Sequence, residues 1–232
     1  MENHLLDTTA KWNLYSGQEL SAVGTNHIFK IAISSSSTQI DYSSVLAESE
    51  IAKSSRFFKQ EDRENYIIRK YALRLLLSKF LGQPPAEIKF HQQANKKPAV
   101  AGLQFNTSHT KGGIAIAISE APIGIDIEYL NPDFEYHDIL QQCFNPAELS
   151  FIEMGADERL NFYTLWTRKE ALLKATGEGL IDNLHEIDSL NPILKWKNAH
   201  YNFRSFHIEN LILTVAIKPD AKAFKFWEYS YV

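Results

Sequence analysis

The 232-residue sequence has little of several features that would define its class at once. Its one cysteine, Cys143, excludes an intramolecular disulfide and fits a reducing cytosol. No apolar run approaches the ~18 residues that a membrane span needs, and the N-terminal residues lack the charged-then-apolar pattern of a signal peptide. Hydrophobic residues still make up 44% of the chain, which is enough for an ordinary packed core. We therefore predict a cytoplasmic globular protein without a membrane segment.

An excess of positive charge is also missing. The formal net charge is −4, so the chain has no general attraction to nucleic acid. A local cluster of basic residues would have to hold any anionic ligand. Nucleic-acid binding is therefore disfavoured.

Hydrophobic periodicity predicts a mixture of strands and helices. Strands are predicted at 27–33, 87–91, 103–109, 114–118, 122–128, 201–208, 211–217 and 224–231. Helices are predicted at 42–58, 61–81, 138–144, 146–154 and 157–175. Residues 1–26 show no period, and residues 34–37 and 92–98 have the composition of loops.

The order of these elements indicates a duplication with a period near one hundred residues. The helix at 61–81 would correspond to 157–175, the hairpin at 105–118 to 203–217, and the strand at 123–128 to 224–230. We predict an α+β fold with a pseudo-twofold duplication of two similar halves, each a small antiparallel sheet with packed helices. The halves would be residues 1–130 and 131–232, with the active site in the cleft between them and the chain a monomer.

Two carboxylates mark the strand at 122–128. Asp126 and Glu128 lie two residues apart, so their side chains share one face of the strand. Their repulsion would be relieved by a cation between them, and an oxygen-ligated ion such as Mg²⁺ is the obvious candidate. The alternative is an edge strand with a solvated acidic face. Glu170, on the long helix, would complete a three-carboxylate site if it faced this strand.

The long helix at 157–175 places a lysine in an unusual position. Lys169 falls in the middle of the apolar stripe formed by Phe162, Leu165, Trp166, Leu172 and Leu173. It must either extend its ammonium group to solvent or meet a buried anion. Glu170 and Lys174, one turn apart, share an edge of the helix.

Cations near a carboxylate-bound metal would suggest a polyphosphate ligand. Each of these residues also has an ordinary explanation, as a solvated lysine or arginine or as a histidine in a turn. The candidates are Ser108, His109, Lys169, Lys174, Lys96, Lys97, Lys53, Arg56, Arg63 and Arg69.

Three strings of residues resemble the signature motifs of a known family. They are Phe105-Asn-Thr-Ser-His109, Ile123-Gly-Ile-Asp-Ile-Glu128, and Trp166-Thr-Arg-Lys-Glu-Ala-Leu-Leu-Lys174 followed by Gly177-x-Gly179. In this order they resemble the motifs of the 4′-phosphopantetheinyl transferases, and the single-chain, surfactin-synthetase-activating type is the closer match. The similarity extends over residues 46–180.

The resemblance implies transfer of 4′-phosphopantetheine from coenzyme A to a serine of an apo acyl or peptidyl carrier protein, with release of adenosine 3′,5′-bisphosphate. By motif, Asp126, Glu128 and Glu170 would hold Mg²⁺, or Mn²⁺ in its place. Glu170, Lys174 and His109 would be catalytic, and either Glu170 or a metal-bound water would be the base. The residues implied to contact coenzyme A are Lys53, Arg63, Arg69, Lys97, Ser108, His109, Lys169 and Lys174.

The sequence departs from the family pattern at three places. Lys96 stands where the family's Gly-Lys-Pro loop has glycine, and Glu50 stands where a basic residue is expected near the 3′-phosphate. Arg63 and Arg69 are the candidates to replace that basic residue. Arg168 precedes Lys169, where a small or apolar residue is common, and the sequence offers no explanation for it. The alternative function is a non-catalytic coenzyme A or nucleotide binding protein, although a pure binder would not need three carboxylates.

Overall fold

Strands and helices alternate along the chain in the computed structural model, which describes residues 4–33, 41–92, 97–179, 181–219 and 222–230. The strands are β1 (Trp12–Tyr15), β2 (Thr25–Ala32), β3 (His91–Gln92), β4 (Pro98–Ala99), β5 (Gln104–Thr110), β6 (Gly113–Ser119), β7 (Ile123–Tyr129), β8 (Ile193–Trp196), β9 (Ala199–Ile208), β10 (Leu211–Ile217) and β11 (Ala223–Tyr229). The helices are α1 (Glu48–Ser54), α2 (Gln60–Leu81), α3 (His137–Cys143), α4 (Pro146–Glu153) and α5 (Glu158–Thr176). This composition confirms the predicted α+β class.

The strands form two main sheets. The first has the order β1-β11-β2-β6-β5 and the second has the order β7-β10-β9-β8, while β3 and β4 form a small separate pair. The second sheet is antiparallel throughout, as predicted. The first sheet is mixed, because β11 joins β2 and β1 in parallel.

Some predicted elements differ from the observed ones. The strand predicted at 87–91 is wrong, because the Pro84-Pro85 pair is followed by a 3₁₀ turn at Pro85–Glu87 and only two residues of β3. The helix predicted at 42–58 is shortened to α1. The sequence analysis did not predict β1. Half of the residues of this strand are exposed, so it lacks the alternation of apolar and polar residues that predicts a strand. The loop predicted at 34–37 lies outside the described residues.

The duplication is visible in the positions at which elements begin. β2, α1, α2 and β6 begin at residues 25, 48, 60 and 113, and β7, α4, α5 and β10 begin 98 residues later, at 123, 146, 158 and 211. β7 therefore corresponds to β2, and the predicted match of 123–128 with the last strand is wrong. The boundary predicted at residue 130 separates β7 from β10, to which it is hydrogen-bonded. β11 is an addition that returns to the first sheet.

A buried glutamate and a cation close the helix pair of the first unit, which extends from β2 to β6 (residues 25–119). Glu50, in the first turn of α1, accepts hydrogen bonds from the Ala47 N–H (3.2 Å) and from Arg74 Nε of α2 (2.5 Å). Arg74 Nη1 also donates to the carbonyls of Pro85 and Ile88, at 2.6 and 3.2 Å. We call this arrangement the first clasp. It explains why Glu50 replaces a basic residue, since its carboxylate is committed to packing α1 against α2.

The second unit, which extends from β7 to β10 (residues 123–217), has a similar arrangement with lysine in place of arginine. Glu148, in the first turn of α4, accepts hydrogen bonds from the Asn145 N–H (3.0 Å) and from Lys169 Nζ of α5 (2.8 Å). Lys169 Nζ also donates to the carbonyls of Leu184 and Ile187, at 3.0 and 2.5 Å. We call this arrangement the second clasp. Glu148 follows Glu50 by the same 98 residues, whereas Lys169 follows Arg74 by 95, so the two clasps share the position of the glutamate and the chemistry of the pair.

Close contact between α5 and β7 sets the geometry around the carboxylates. A Cβ atom added at Gly124 would lie 2.0 Å from the Ala171 carbonyl oxygen and 2.4 Å from the Ala175 nitrogen, so only glycine permits this approach. In the first unit, α2 instead packs on a layer that contains Phe29 and Ile31. None of the helices in the described ranges has the length and apolar character needed to cross a membrane.

Candidate active site

The two carboxylates of β7 face α5, and the intervening residues face the other sheet. Ile123, Ile125 and Ile127 pack in the core between the sheets, so alternation directs Asp126 and Glu128 to the helix side. Asp126 is only 2% exposed, and Glu128 is half-buried. The solvated acidic face considered from the sequence is therefore wrong for Asp126.

Asp126 accepts both of its hydrogen bonds at one oxygen. Its Oδ1 atom lies 2.8 Å from Ser108 Oγ of β5 and 2.5 Å from Lys174 Nζ of α5. Lys174 Nζ also donates to Ser108 Oγ at 2.9 Å. The Oδ2 atom of Asp126 is buried and has no hydrogen-bond partner in the described part of the chain. A buried carboxylate oxygen without a partner is costly, and a water or an ion is a common partner for such an atom.

Glu128 and Glu170 are crowded by burial and by the charge of Asp126. These two effects raise the pKa of Glu128 to about 7, although Lys174 and a hydrogen bond from the Thr110 hydroxyl (3.3 Å) act in the opposite direction. Burial and Asp126 also raise the pKa of Glu170, and Lys174 opposes them. The three carboxylates therefore form one interacting group at the contact of β7 with α5.

The carboxylate group is suited to a divalent cation by its chemistry. Carboxylate oxygens are the hard donors that such an ion prefers. An ion would also give Asp126 Oδ2 a partner and relieve the burial and repulsion that raise the pKa values of Glu128 and Glu170. In the described ranges, no group of three or more carboxylate, imidazole or thiol side chains is arranged closely enough to hold a metal ion. Lys174 is the cation that neutralises Asp126 here.

Two polar residues that sequence reasoning missed bind β7 to β5. Asn106 Oδ1 accepts from the Ile125 N–H at 2.9 Å, and Thr110 Oγ1 accepts from the Tyr129 N–H at 3.1 Å. The signal for them was present in the sequence. Residues 106, 108 and 110 are polar at alternate positions of one strand, so they share a face with Ser108.

His109 and Arg69 meet next to the carboxylate group. Arg69 Nη1 of α2 lies 2.9 Å from Nδ1 and 2.8 Å from Nε2 of the imidazole ring. Loss of surrounding water, together with the charges of Arg69 and Lys174, lowers the pKa of His109 to about 4. The ring is therefore neutral at pH 7, and the guanidinium supplies the positive charge at this place.

A cavity of about 410 Å³ opens beside Glu128. Thr110 and Tyr129 line one side of it, and aromatic residues of α5 line the other. The aromatic residues are Phe162, Tyr163 and Trp166, with Phe134 from the segment between β7 and α3. The cavity offers an apolar wall next to charged groups, as small-molecule sites commonly do.

The structure does not bring Lys169 to this site. The side chain is 0% exposed, and its three donors are used by the carboxylate and carbonyls of the second clasp. Burial lowers its pKa, and Glu148 opposes that shift. The predicted contact with a coenzyme A phosphate is therefore wrong for Lys169, and the buried-anion alternative is the one observed.

The ammonium group of Lys97, a residue just before β4, reaches the start of β7 and the end of α5. It donates to the carbonyls of Ile123 and Lys174, at 3.2 and 2.7 Å. Burial lowers its pKa to about 8. This lysine braces the strand against the C-terminal turn of the helix, where a cation also suits the helix dipole. Lys96 lies outside the described residues.

The remaining basic candidates lie on the N-terminal helices. Lys53 and Arg63 are exposed, and the Lys53 ammonium lies 5.6 Å from the centre of the Tyr66 ring. Of the basic residues predicted on these helices, Arg69 is the one that the structure brings to His109.

Arg168 has a structural explanation. Its guanidinium is 1% exposed, donates to Ser205 Oγ of β9 (3.2 Å) and to the Ser189 carbonyl (2.5 Å), and lies 5.0 Å from the centre of the Phe203 ring. Burial lowers its pKa to about 10. Arg168 therefore ties α5 to the second sheet.

Comparison with known proteins agrees with this site. The family profile described as the 4′-phosphopantetheinyl transferase superfamily matches residues 122–216, and the profile described as 4′-phosphopantetheinyl transferase, N-terminal, matches residues 34–121. The first match includes both carboxylates of β7 and the whole of α5.

Individual relatives carry the same description. The 4′-phosphopantetheinyl transferase HetI of Nostoc sp. is 32% identical over 218 residues, which cover 88% of this chain and 92% of HetI. The 4′-phosphopantetheinyl transferase Sfp of Bacillus subtilis is 32% identical over 133 residues, which cover 55% of this chain and 58% of Sfp. The crystal structure of Thermotoga maritima holo-[acyl-carrier-protein] synthase aligns with a TM-score of 0.34 and 13% identity, over 43% of this chain and 64% of that one. That structural likeness is too low to carry an argument, whereas the similarity to HetI covers nearly all of both chains. The chain therefore belongs to the 4′-phosphopantetheinyl transferase superfamily.

Proposed function

We propose that this protein transfers 4′-phosphopantetheine from coenzyme A to a serine hydroxyl of an apo acyl or peptidyl carrier protein and releases adenosine 3′,5′-bisphosphate. Membership of the family supports the class of reaction. One observation in this chain carries the proposal: Asp126, Glu128 and Glu170 interact at the contact of β7 with α5, beside Lys174 and Ser108. A binding module would not need this concentration of buried charge.

A divalent cation, Mg²⁺ or Mn²⁺, is part of the proposal. Asp126, Glu128 and Glu170 would hold it, and the unpartnered Asp126 Oδ2 and the two raised pKa values support this assignment. When bound, such an ion neutralises negative charge on the pyrophosphate during phosphoryl transfer. Lys174 would then be released from Asp126 to a phosphate oxygen.

The phosphates of coenzyme A would be bound by groups around the carboxylates. Lys174 and Ser108 are already within hydrogen-bond reach of Asp126, and His109 with Arg69 presents a neutral donor beside a positive charge. The exposed Lys53 and Arg63 are the candidates for the 3′-phosphate. Charge-assisted hydrogen bonds of this kind are each worth roughly 1.5–3 kcal/mol.

Glu170 is the proposed base that takes the proton of the carrier serine. Burial and the Asp126 charge raise its pKa, and this direction favours proton acceptance near neutral pH. Glu170→Gln should retain part of the metal affinity through its amide oxygen, yet lose turnover. Excess Mg²⁺ should not restore that turnover if Glu170 is the base.

The duplication also supports a monomer, because one chain supplies both units of the site: β5 from the first and β7 with α5 from the second. A cytoplasmic location is also proposed, because the single cysteine excludes an intramolecular disulfide and fits a reducing compartment.

A direct test combines the protein with coenzyme A, Mg²⁺ and an apo carrier protein and measures the intact mass of the carrier. The expected result is a phosphopantetheine adduct that is lost with Asp126→Asn and kept with Asp133→Asn, an exposed control carboxylate. Coenzyme A binding without an adduct on any acyl or peptidyl carrier would favour the non-catalytic binding protein instead.

A further inference from the structure

We infer that Asn106 and Thr110 are positioning residues that hold the carboxylates of β7 in place against β5. The inference rests on the proposed function, since it concerns the same site. It starts from the edge position of β7, which ends its sheet beyond β10 in the described residues. The outward backbone groups of β7 are therefore not fixed by a second strand of that sheet.

Side chains of β5 take over this role at two points. Asn106 Oδ1 accepts from the Ile125 N–H and Thr110 Oγ1 accepts from the Tyr129 N–H, at 2.9 and 3.1 Å. These two N–H groups flank Asp126 and Glu128. The pair therefore anchors the carboxylate-bearing segment of the strand at both ends.

Thr110 makes a second contact that a merely structural residue would not need. Its hydroxyl donates to Glu128 Oε2 at 3.3 Å while accepting from the Tyr129 N–H. A hydroxyl has one donor and two acceptor sites, so one side chain can fix both the backbone and the carboxylate. Thr110 therefore limits the directions in which Glu128 can point.

The spacing of polar residues on β5 matches the spacing of the site. Asn106, Ser108 and Thr110 alternate along one face, and Ser108 bonds Asp126 between the two anchors. Metal-binding carboxylates depend on such outer hydrogen bonds for orientation. The side chains on this face of β5 therefore fix the position of β7 relative to the phosphate-binding groups.

The test compares variants at two threonines of the same strand. Thr110→Val removes the hydroxyl at nearly constant volume, and Thr110→Ser keeps it. Thr107→Val is the matched control, because Thr107 shares the opposite face of β5 with Phe105. Mn²⁺ affinity, measured by loss of the free-ion EPR signal without coenzyme A, should fall about tenfold for Thr110→Val, as expected for one hydrogen bond to a charged group.

Serine should restore the affinity to within about twofold of the wild type, and Thr107→Val should leave it unchanged. Asn106→Leu, which removes one backbone hydrogen bond, should weaken Mn²⁺ by about fivefold. Melting curves without metal should show a larger loss for Thr110→Val than for Thr107→Val, because the Thr110 hydroxyl accepts from the Tyr129 N–H. The inference is overturned if Thr110→Val binds Mn²⁺ like the wild type, or if Thr107→Val weakens binding as much.

The same experiment separates this inference from the proposed function. A wild type that binds Mn²⁺ but does not modify any carrier protein would overturn the proposed function and leave the positioning role standing. A wild type that does not bind Mn²⁺ at millimolar concentration would overturn the inference itself.

Discussion

β2 and β7 begin the two units of the duplication, and they differ in what lies on each side of them. β2 is hydrogen-bonded along its backbone to β6 and to β11, and its Phe29 and Ile31 face α2 in an apolar layer. β7 pairs by its backbone with β10, while its other edge meets the side chains of β5. Asp126 and Glu128 occupy the face that Phe29 and Ile31 occupy in β2.

This difference shows how a duplicated fold can carry a single site. The two clasps use the same chemistry, so both units keep the same helix scaffold. β11 completes the edge of β2, and aromatic packing fills the space above it. The free edge of β7 is hydrogen-bonded to polar side chains of β5, and charged side chains lie beside it. In the described residues, the unit with the incompletely paired first strand is the one that holds the carboxylates.

The largest expected effect tests whether the two clasps are equivalent. Lys169→Met should lower the free energy of unfolding by roughly 3–5 kcal/mol, because Glu148 is left buried and unpaired. Arg74→Met should cost less, since Lys70 still lies 3.2 Å from Glu50. Urea denaturation measures both, with the exposed Lys195→Met as control. If Lys169→Met lost transfer activity at unchanged stability, a phosphate role for Lys169 would be restored.

The second prediction separates the chemistry of β7 from the packing of β2. Asp126→Ala should lower transfer at least a hundredfold, or roughly 2.7 kcal/mol in activation free energy. Its melting temperature should stay near that of the wild type, because relief of the repulsion with Glu128 and Glu170 offsets the lost ion pair with Lys174, whose side chain is 29% exposed. Phe29→Leu should behave in the opposite way, with a lower melting temperature and retained transfer. Near-normal activity of Asp126→Ala with a sharply lower melting temperature would make the carboxylate structural.

The third prediction concerns the direct contact of α5 with β7. Gly124→Ala should destabilise the protein by about 2–3 kcal/mol, since the new methyl group would meet the backbone of α5. Gly113→Ala is the control, because its Cβ would meet the flexible Leu211 side chain at 3.1 Å. Chemical denaturation of both variants checks this. Equal losses would show that α5 can move away from β7.

The smallest effect is a pH dependence confined to the second unit. Because the pKa of Glu128 is raised from 4.5 to about 7, the folded state binds more protons than the unfolded state between these values. This group therefore lowers stability as the pH rises from 4.5 to 7. Glu128→Gln should stabilise the metal-free protein by about 1–2 kcal/mol at pH 8 and by little at pH 4.5. A constant difference across this range would place the effect elsewhere.

Local patterns in the sequence predicted the parts of the fold that depend on local periodicity. α2, α5, the two hairpins and the shared face of Asp126 and Glu128 follow from apolar spacing. The partner of β7 does not, because its isoleucines could pack in either sheet. The pairing of Glu148 with Lys169 arises from tertiary packing of α4 against α5, which the sequence pattern does not specify. For the same reason, the sequence could not choose between a solvated and a buried ammonium at Lys169.

The pairing of β11 with β2 has a consequence for synthesis on the ribosome. Thr25 lies opposite Ala223 in this ladder, so β2 emerges almost two hundred residues before its partner. At ordinary translation rates of about 5–20 residues per second, the edge of β2 waits roughly 10–40 s for completion. During that interval an apolar strand presents unpaired backbone groups, and such edges recruit other chains. The nascent first unit therefore carries an unpaired strand edge until β11 leaves the exit tunnel.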